Sequence, residues 1–323
     1  MKMLFCADVK LGAICTEDLD VRQSHKWQDA RRKKLADLID QAAQNNAAYV
    51  ALFGQIFGQE RVPESVIDGL FEAVKGDSEI QTLLFLQAEE YSRISYRNDV
   101  PENLHLFCVQ MQDDYVDECI ALRIDKSTIE LQLADNDALR LCPDSEGKYS
   151  IFGMPQTYEI PSFEPIGFED AQDLDCGYGI LEWAEDTIEG FEKKPSQQYS
   201  YHSAEIKIVA ADDEKEILRK INDAVRKIDR DTFLRITLTG RSAFGLMINS
   251  DALKNKLQDR IFFVEVYDNT IMDIDEEAFE NDISLRSEFV RLALQDNSIS
   301  ESERNRLISC GWNALNGKEV AGE

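Results

Sequence analysis

The sequence predicts an α/β protein. Short apolar runs alternate with amphipathic segments over the first 110 residues, as in a β-α-β chain. From about residue 115 to 184 the pattern changes to strand-like runs separated by turns, with weak helical periodicity. Of 323 residues, 43% are hydrophobic and 9% aromatic, which is the composition of a globular chain with a large core.

Met3 to Val9 is a buried strand by its short apolar run, and a loop over residues 10–24 with Gly12 and several acids follows it. Ser24 is placed to cap a helix over Trp27 to Asn45, whose apolar face is Leu35, Leu38, Ile39 and Ala42. Strand two is Ala48 to Phe53, and it runs into the turn Gly54-Gln55-Ile56-Phe57-Gly58. Pro63 starts the next helix, with Val66, Ile67, Leu70, Phe71 and Val74 on one face, and Gly76 stops it. Ile80 to Leu86 and Leu104 to Val109 complete a largely parallel sheet with helices on both faces. In such sheets ligands bind at the C-terminal ends of the strands, which draws attention to Asp8, Lys10 and Gln55.

Strands over Glu118 to Ile124, Thr128 to Leu133, Tyr149 to Met154 and Gly179 to Trp183 form an antiparallel half of the same domain, which spans 1–190. Gly190 to Tyr201 reads as a linker. An α/β domain over 200–268 then carries strands at Ala204 to Val209, Phe233 to Thr239 and Ile261 to Tyr267. Helices at Glu214 to Ile228 and Ser250 to Leu257 alternate with them in a split β-α-β arrangement. A helical tail covers 270–323. Leu285, Phe289, Leu292 and Ala293 mark its first helix, and Ser300-Glu301-Ser302-Glu303 caps its second.

The chain carries 62 acidic and 35 basic residues, a formal net charge of -27. That balance disfavours nucleic-acid binding over most of the surface. The densest basic stretch, Lys26 to Lys34, reads as a solvated helix face paired with Asp29, Asp37 and Asp40. Seven scattered cysteines without a CxxC pair read as reduced thiols of a cytoplasmic protein, and Cys6 as a small core residue. There is no apolar run of membrane-spanning length. Phosphate-cradling glycine loops and a GxSxG elbow are absent as well.

The strand ending in Asp8-Val9-Lys10, the helix, and the second strand ending in Gly54-Gln55 resemble the opening of calcineurin-like metallophosphoesterases, among them the SbcD-type DNA-repair nucleases. Later stretches follow the family's order. Asn103-Leu104-His105-Leu106-Phe107 is similar to the strand after its third motif, and Ile151-Phe152-Gly153-Met154-Pro155-Gln156 to the turn after its last metal motif. Phe233 to Gly240 resembles a strand of the capping domain, and Ser284 to Arg291 and Gly311 to Leu315 the tail helices. The resemblance implies a metallophosphoesterase-like β-sandwich flanked by helices, a small α/β cap, and a tail that docks on the coiled coil of an SMC-like ATPase. Phe289, Leu292, Leu307, Ile308 and Trp312 sit at helical spacing in that tail, facing either their own domain or the partner.

Against the family's two-metal chemistry, Asp8 is retained, but Lys10 stands where a histidine ligand belongs and Gln55 where the bridging aspartate belongs. The third motif's place reads Leu86-Gln87-Ala88-Glu89-Glu90, and the later histidine motifs have no counterpart. The chain has only His25, His105 and His202. Imidazole ligation of two metals is therefore not expected. Asp8, Glu89 and Glu90, or Asp18 and Asp20 from the loop, remain weak candidates for one hard ion. Lys10 is expected to fill the vacated charge site beside Asp8 or a glutamate. The resemblance thus implies a catalytically degenerate scaffold beside an SMC-like ATPase in DNA repair, with a homodimer possible. The alternative is an active manganese- or magnesium-dependent phosphoesterase or exonuclease with a rearranged site.

Overall fold

A computed structural model divides the chain into two units, residues 1–198 and 199–323. It describes residues 2–59, 61–109, 120–125, 128–133, 140–143, 149–153, 156–173, 175–184, 187–246, 248–275, 279, 282–296 and 298–317. Between 120 and 159 only the backbone is described. The Met154-Pro155 turn, Lys126, Glu118 and Cys119 lie outside the described residues, as do the side chain of Trp183 and the tail beyond 317.

The first unit opens β1 (Lys2–Ala7), α1 (Val21–Gln44), β2 (Tyr49–Phe53), α2 (Glu64–Lys75), β3 (Gln81–Gln87), α3 (Ala88–Ile94), β4 (Leu104–Val109). The strands β5 (Ile120–Asp125), β6 (Thr128–Leu133), β7 (Arg140–Pro143), β8 (Tyr149–Gly153) and β9 (Gln156–Glu159) follow. The unit ends with α4 (Phe168–Asp173), β10 (Gly177–Ala184) and β11 (Thr187–Pro195). The main sheet is six-stranded and mixed, in the order β11-β10-β1-β2-β3-β4. The first four strands of the chain are parallel, and β10 lies antiparallel against β1. Strands β5 to β9 make a separate five-stranded antiparallel sheet, ordered β6-β5-β7-β8-β9.

Strands buried on both faces read as near-continuous apolar runs, and β1 from Met3 to Ala7, β2 throughout and β3 from Leu83 to Leu86 show this. Leu4, Cys6, Val50, Leu52 and Leu84 pack under α1 and α2 together with Leu35, Leu38, Ile67, Leu70 and Phe71. The opposite face is a row of rings. Phe5, Phe53, Phe85 and Phe107 stack across the four parallel strands at centroid spacings of 5.7, 4.4 and 5.2 Å. Each ring pair adds about 0.5–1.5 kcal/mol to the burial itself. Among the described residues the cluster on this face contains no helical residue, so the expected helices on both faces are found on one.

Other expectations shift for identifiable reasons. Helix α1 starts six residues before Trp27, because Asp20 caps it rather than Ser24. Asp20 accepts from Gln23 N at 2.7 Å, and Gln23 Oε1 accepts from Asp20 N at 3.0 Å, a reciprocal capping box. His25 is therefore helical. The first half of the segment read as a linker is the end of the edge strand β11, which pairs with β10 from Pro195 to Thr187. Asn103 is buried and its amide donates to Val74, Asp77 and Ile80 carbonyls, tying the end of α2 to the sheet.

The second unit contains β12 (Ser200–Ile208), α5 (Glu214–Ala224), β13 (Thr232–Ser242), α6 (Ser250–Gln258), β14 (Phe263–Asp268) and β15 (Ile271–Met272). Helices α7 (Leu285–Gln295) and α8 (Glu301–Leu315) end it. Strands β12, β13 and β14 are adjacent and parallel, so the arrangement is not a split β-α-β: no strand intervenes, and α5 and α6 are the crossovers. His202 lies within β12. Ile217, Ile221, Leu253 and Leu257 of the two helices share one core with Ile206, Ile208, Leu234, Ile236, Leu238 and Val264. Helices α7 and α8 close a smaller core of Met272, Phe279, Val290, Ala293 and Ile308.

Candidate functional site

The C-terminal ends of β1 and β2 bring Asp8, Lys10, Gln55 and Glu90 together, and they do so through a backbone zipper. Asp8, Lys10, Leu11 and Gly12 donate their N–H groups to Phe53, Gln55, Ile56 and Phe57 carbonyls at 2.8–2.9 Å. The two loops after the strands thus continue the parallel pairing beyond the sheet. The path demands left-handed backbone at Asp8 (φ 51°) and Lys10 (φ 48°), a conformation that costs most residues free energy.

Two carboxylates close this zipper. Asp8 Oδ1 accepts from Gln55 N at 2.9 Å. Glu90, buried in the first turn of α3, accepts from Phe57 N at 2.9 Å and from Ile56 N at 3.3 Å, using both oxygens. The place read as a motif loop is therefore the start of a helix, and its Glu90 reaches back under the β2 loop while Glu89 stays exposed. Burial raises both the Asp8 and the Glu90 carboxyls above their ordinary values, and the backbone N–H groups partly offset this.

This donor set does not fit a pair of divalent metals. Both Glu90 oxygens and one Asp8 oxygen already accept backbone protons, and the ammonium of Lys10 has no lone pair to give. Among the described residues no group of three His, Cys, Asp or Glu side chains is placed to hold a metal. Asp18 is exposed and Asp20 caps α1. His105 pairs with Gln81 on β3 at 2.7 Å, and burial lowers its pKa. Cys6 is a core residue whose thiol donates to Gly177 O at 3.2 Å, and burial pushes its pKa up.

Lys10 is not within salt-bridge distance of a described carboxylate, but its charge acts on Asp8 and offsets part of the rise that burial imposes there. Its stem crosses Gly58 (φ 68°), where an added Cβ would sit 3.0 Å from Lys10 Cβ. Gly58→Ala combines a left-handed alanine with that contact. It is expected to lower the stability of this unit by about 1–3 kcal/mol in urea unfolding. Lys10, Gln55, Gln59 and Arg61, with Ile14 and Ile166, line an open depression of about 520 Å³ above the zipper.

The residues that the sequence reading missed lie one step behind this edge. Arg31 and Lys34 of α1 are buried, not solvated. Arg31 stacks on Trp27 at 4.9 Å and donates to Val9 O at 2.7 Å and Pro165 O at 3.1 Å. Lys34 donates at 2.6 Å to Phe163 O, Ser196 O and Glu164 Oε1, and Glu164 Oε1 also accepts from Gln198 N. Both cations hold the strap 160–167, which is threaded between β1 and β10 through Ala7 N to Pro161 O and Phe163 N to Ala7 O. The signal was present in the spacing. Trp27, Arg31, Lys34, Leu35 and Leu38 recur at helical period, which places the two cations on the apolar stripe.

In the tail, Ile308 is fully buried, and Phe289 and Trp312 pack against the same small core. Leu292 and Leu307 are 60% and 44% exposed, and Leu285 and Ile283 are exposed as well. Among the described residues no helix is long and apolar enough to cross a membrane. The sequence matches no family model and no curated protein.

Proposed function

We propose that this chain is a non-catalytic relative of the SbcD-type metallophosphoesterases, a scaffold subunit that serves beside an SMC-like ATPase in DNA repair. One observation carries the non-catalytic part. The carboxylates at the strand ends are engaged as acceptors for Gln55, Ile56 and Phe57 N–H, so the edge where hydrolysis would occur is closed by its own backbone. The mixed main sheet with a second antiparallel sheet supports the metallophosphoesterase-like sandwich, and the α/β unit after it supports the cap. In the tail, Leu292 and Leu307 are the residues left for the ATPase coiled coil, while Ile308 belongs to the internal core.

The test is co-expression of the full chain with a coiled-coil SMC-like ATPase from the same genome. Co-purification that Leu292→Asp and Leu307→Asp abolish is the expected result. A homodimer with no ATPase association, or cleavage of linear duplex DNA by the purified chain in manganese, overturns it.

A further inference from the structure

We infer that the depression at the ends of β1 and β2 is a metal-free binding site for a phosphate-class oxyanion. The inference goes beyond the scaffold reading and does not depend on the ATPase partner.

The chain carries -27 overall, and a number of its cations sit in ion pairs. Arg97, for example, pairs with Glu64, Asp68 and Asp99 at once. Lys10 and Arg61 line one concavity, and among the described residues neither is in a salt bridge, although the Lys10 charge acts on Asp8. The lining residues described include no carboxylate. Of the acids beside it, Asp8 is held on Gln55 N and Asp170 on Ile166 N. Two cations outside any salt bridge on one hollow make it more positive than the rest of an acidic surface.

The hollow is also built rather than incidental. The backbone of Lys10 is held in a left-handed conformation and the base of its stem lies across Gly58, which aims the side chain along one wall of the hollow. Arg93 donates to Gln59 O at 3.0 Å and pins the far side of the loop. Gln55 and Gln59 add amide donors beside the ammonium and the guanidinium. A tetrahedral oxyanion suits this set. Guanidinium offers paired N–H donors, ammonium a point charge, and amides neutral donors. Ile14, 72% exposed, and Ile166 offer an apolar wall to a substituent on a phosphate monoester.

The experiment titrates the full chain with inorganic phosphate and, separately, with phenyl phosphate, by calorimetry in low salt with EDTA present. Saturable 1:1 binding with a Kd on the order of 1 mM or tighter is expected, weakening as ionic strength rises. Arg61→Gln, at an exposed position, and Lys10→Asn, which tolerates the left-handed backbone, should each weaken it by about tenfold or more. Lys10→Arg should retain it. Tighter binding of phenyl phosphate points to a monoester ligand, and equal binding to the free ion. No saturable binding of either, or binding unchanged in both variants, overturns the inference and leaves the scaffold reading intact. Binding that appears only when manganese replaces EDTA overturns both.

Discussion

Glu164→Gln is expected to destabilise the unit of residues 1–198 by about 3–5 kcal/mol, because it leaves the Lys34 ammonium buried beside a neutral partner. The two side chains are 8% and 3% exposed, so water cannot replace the lost charge. The effect should not stay local. Glu164 Oε1 accepts Gln198 N, and Lys34 holds Phe163 and Ser196 carbonyls, so the pair joins α1, the strap and the end of β11. In urea unfolding the midpoint should fall with the slope unchanged. Replacing both partners, Lys34→Met with Glu164→Leu, should recover much of the loss, since an apolar pair leaves no buried charge. A Glu164→Gln protein within about 0.5 kcal/mol of the parent would show that the pair contributes nothing net.

Glu90→Ala is expected to cost about 2–6 kcal/mol, the desolvation of two buried N–H groups at Ile56 and Phe57 left without acceptors, at about 1–3 kcal/mol each. Glu90→Gln keeps one acceptor and should cost less. It also tests a pH effect. Burial raises the Glu90 carboxyl in the folded chain, so the folded state holds its proton to higher pH than the unfolded state does. The stability this contributes is complete below the ordinary carboxylate value, and it is lost as pH rises through the raised folded value. Asp8, raised by burial in the same way, adds to the same trend. Glu90→Gln should flatten the decline of stability above the ordinary carboxylate range. An unchanged pH profile would mean that Glu90 ionises as freely folded as unfolded.

Much of the fold is legible in the sequence because its elements are strongly patterned. The continuous apolar runs of β1, β2 and β3 and the Val66-Ile67-Leu70-Phe71-Val74 face of α2 give strands and helix within a residue or two. What misleads is local chemistry that tertiary contacts override. Lys193-Lys194-Pro195 looks like a linker by composition, yet it pairs as an edge strand, the place where lysine and proline are tolerated. Arg31 and Lys34 look solvated by charge, yet they are buried because strap carbonyls and Glu164 satisfy them. The site is partly legible. The strand-end rule singles out Asp8, Lys10 and Gln55, and the structure brings them together. That Glu90 would turn inward to bind a loop it follows by over thirty residues is not in any local pattern, since only the packing of α3 against the sheet supplies it.

The central claim is that these carboxylates are structural acceptors rather than metal ligands. Manganese titration of the metal-stripped full chain by calorimetry tests it most directly, with Asp8→Asn and Glu90→Gln measured alongside. No saturable binding at millimolar manganese is expected in any of the three proteins, together with lower unfolding midpoints for both variants. Micromolar binding of two ions to the parent chain, lost in Asp8→Asn and Glu90→Gln, would contradict it.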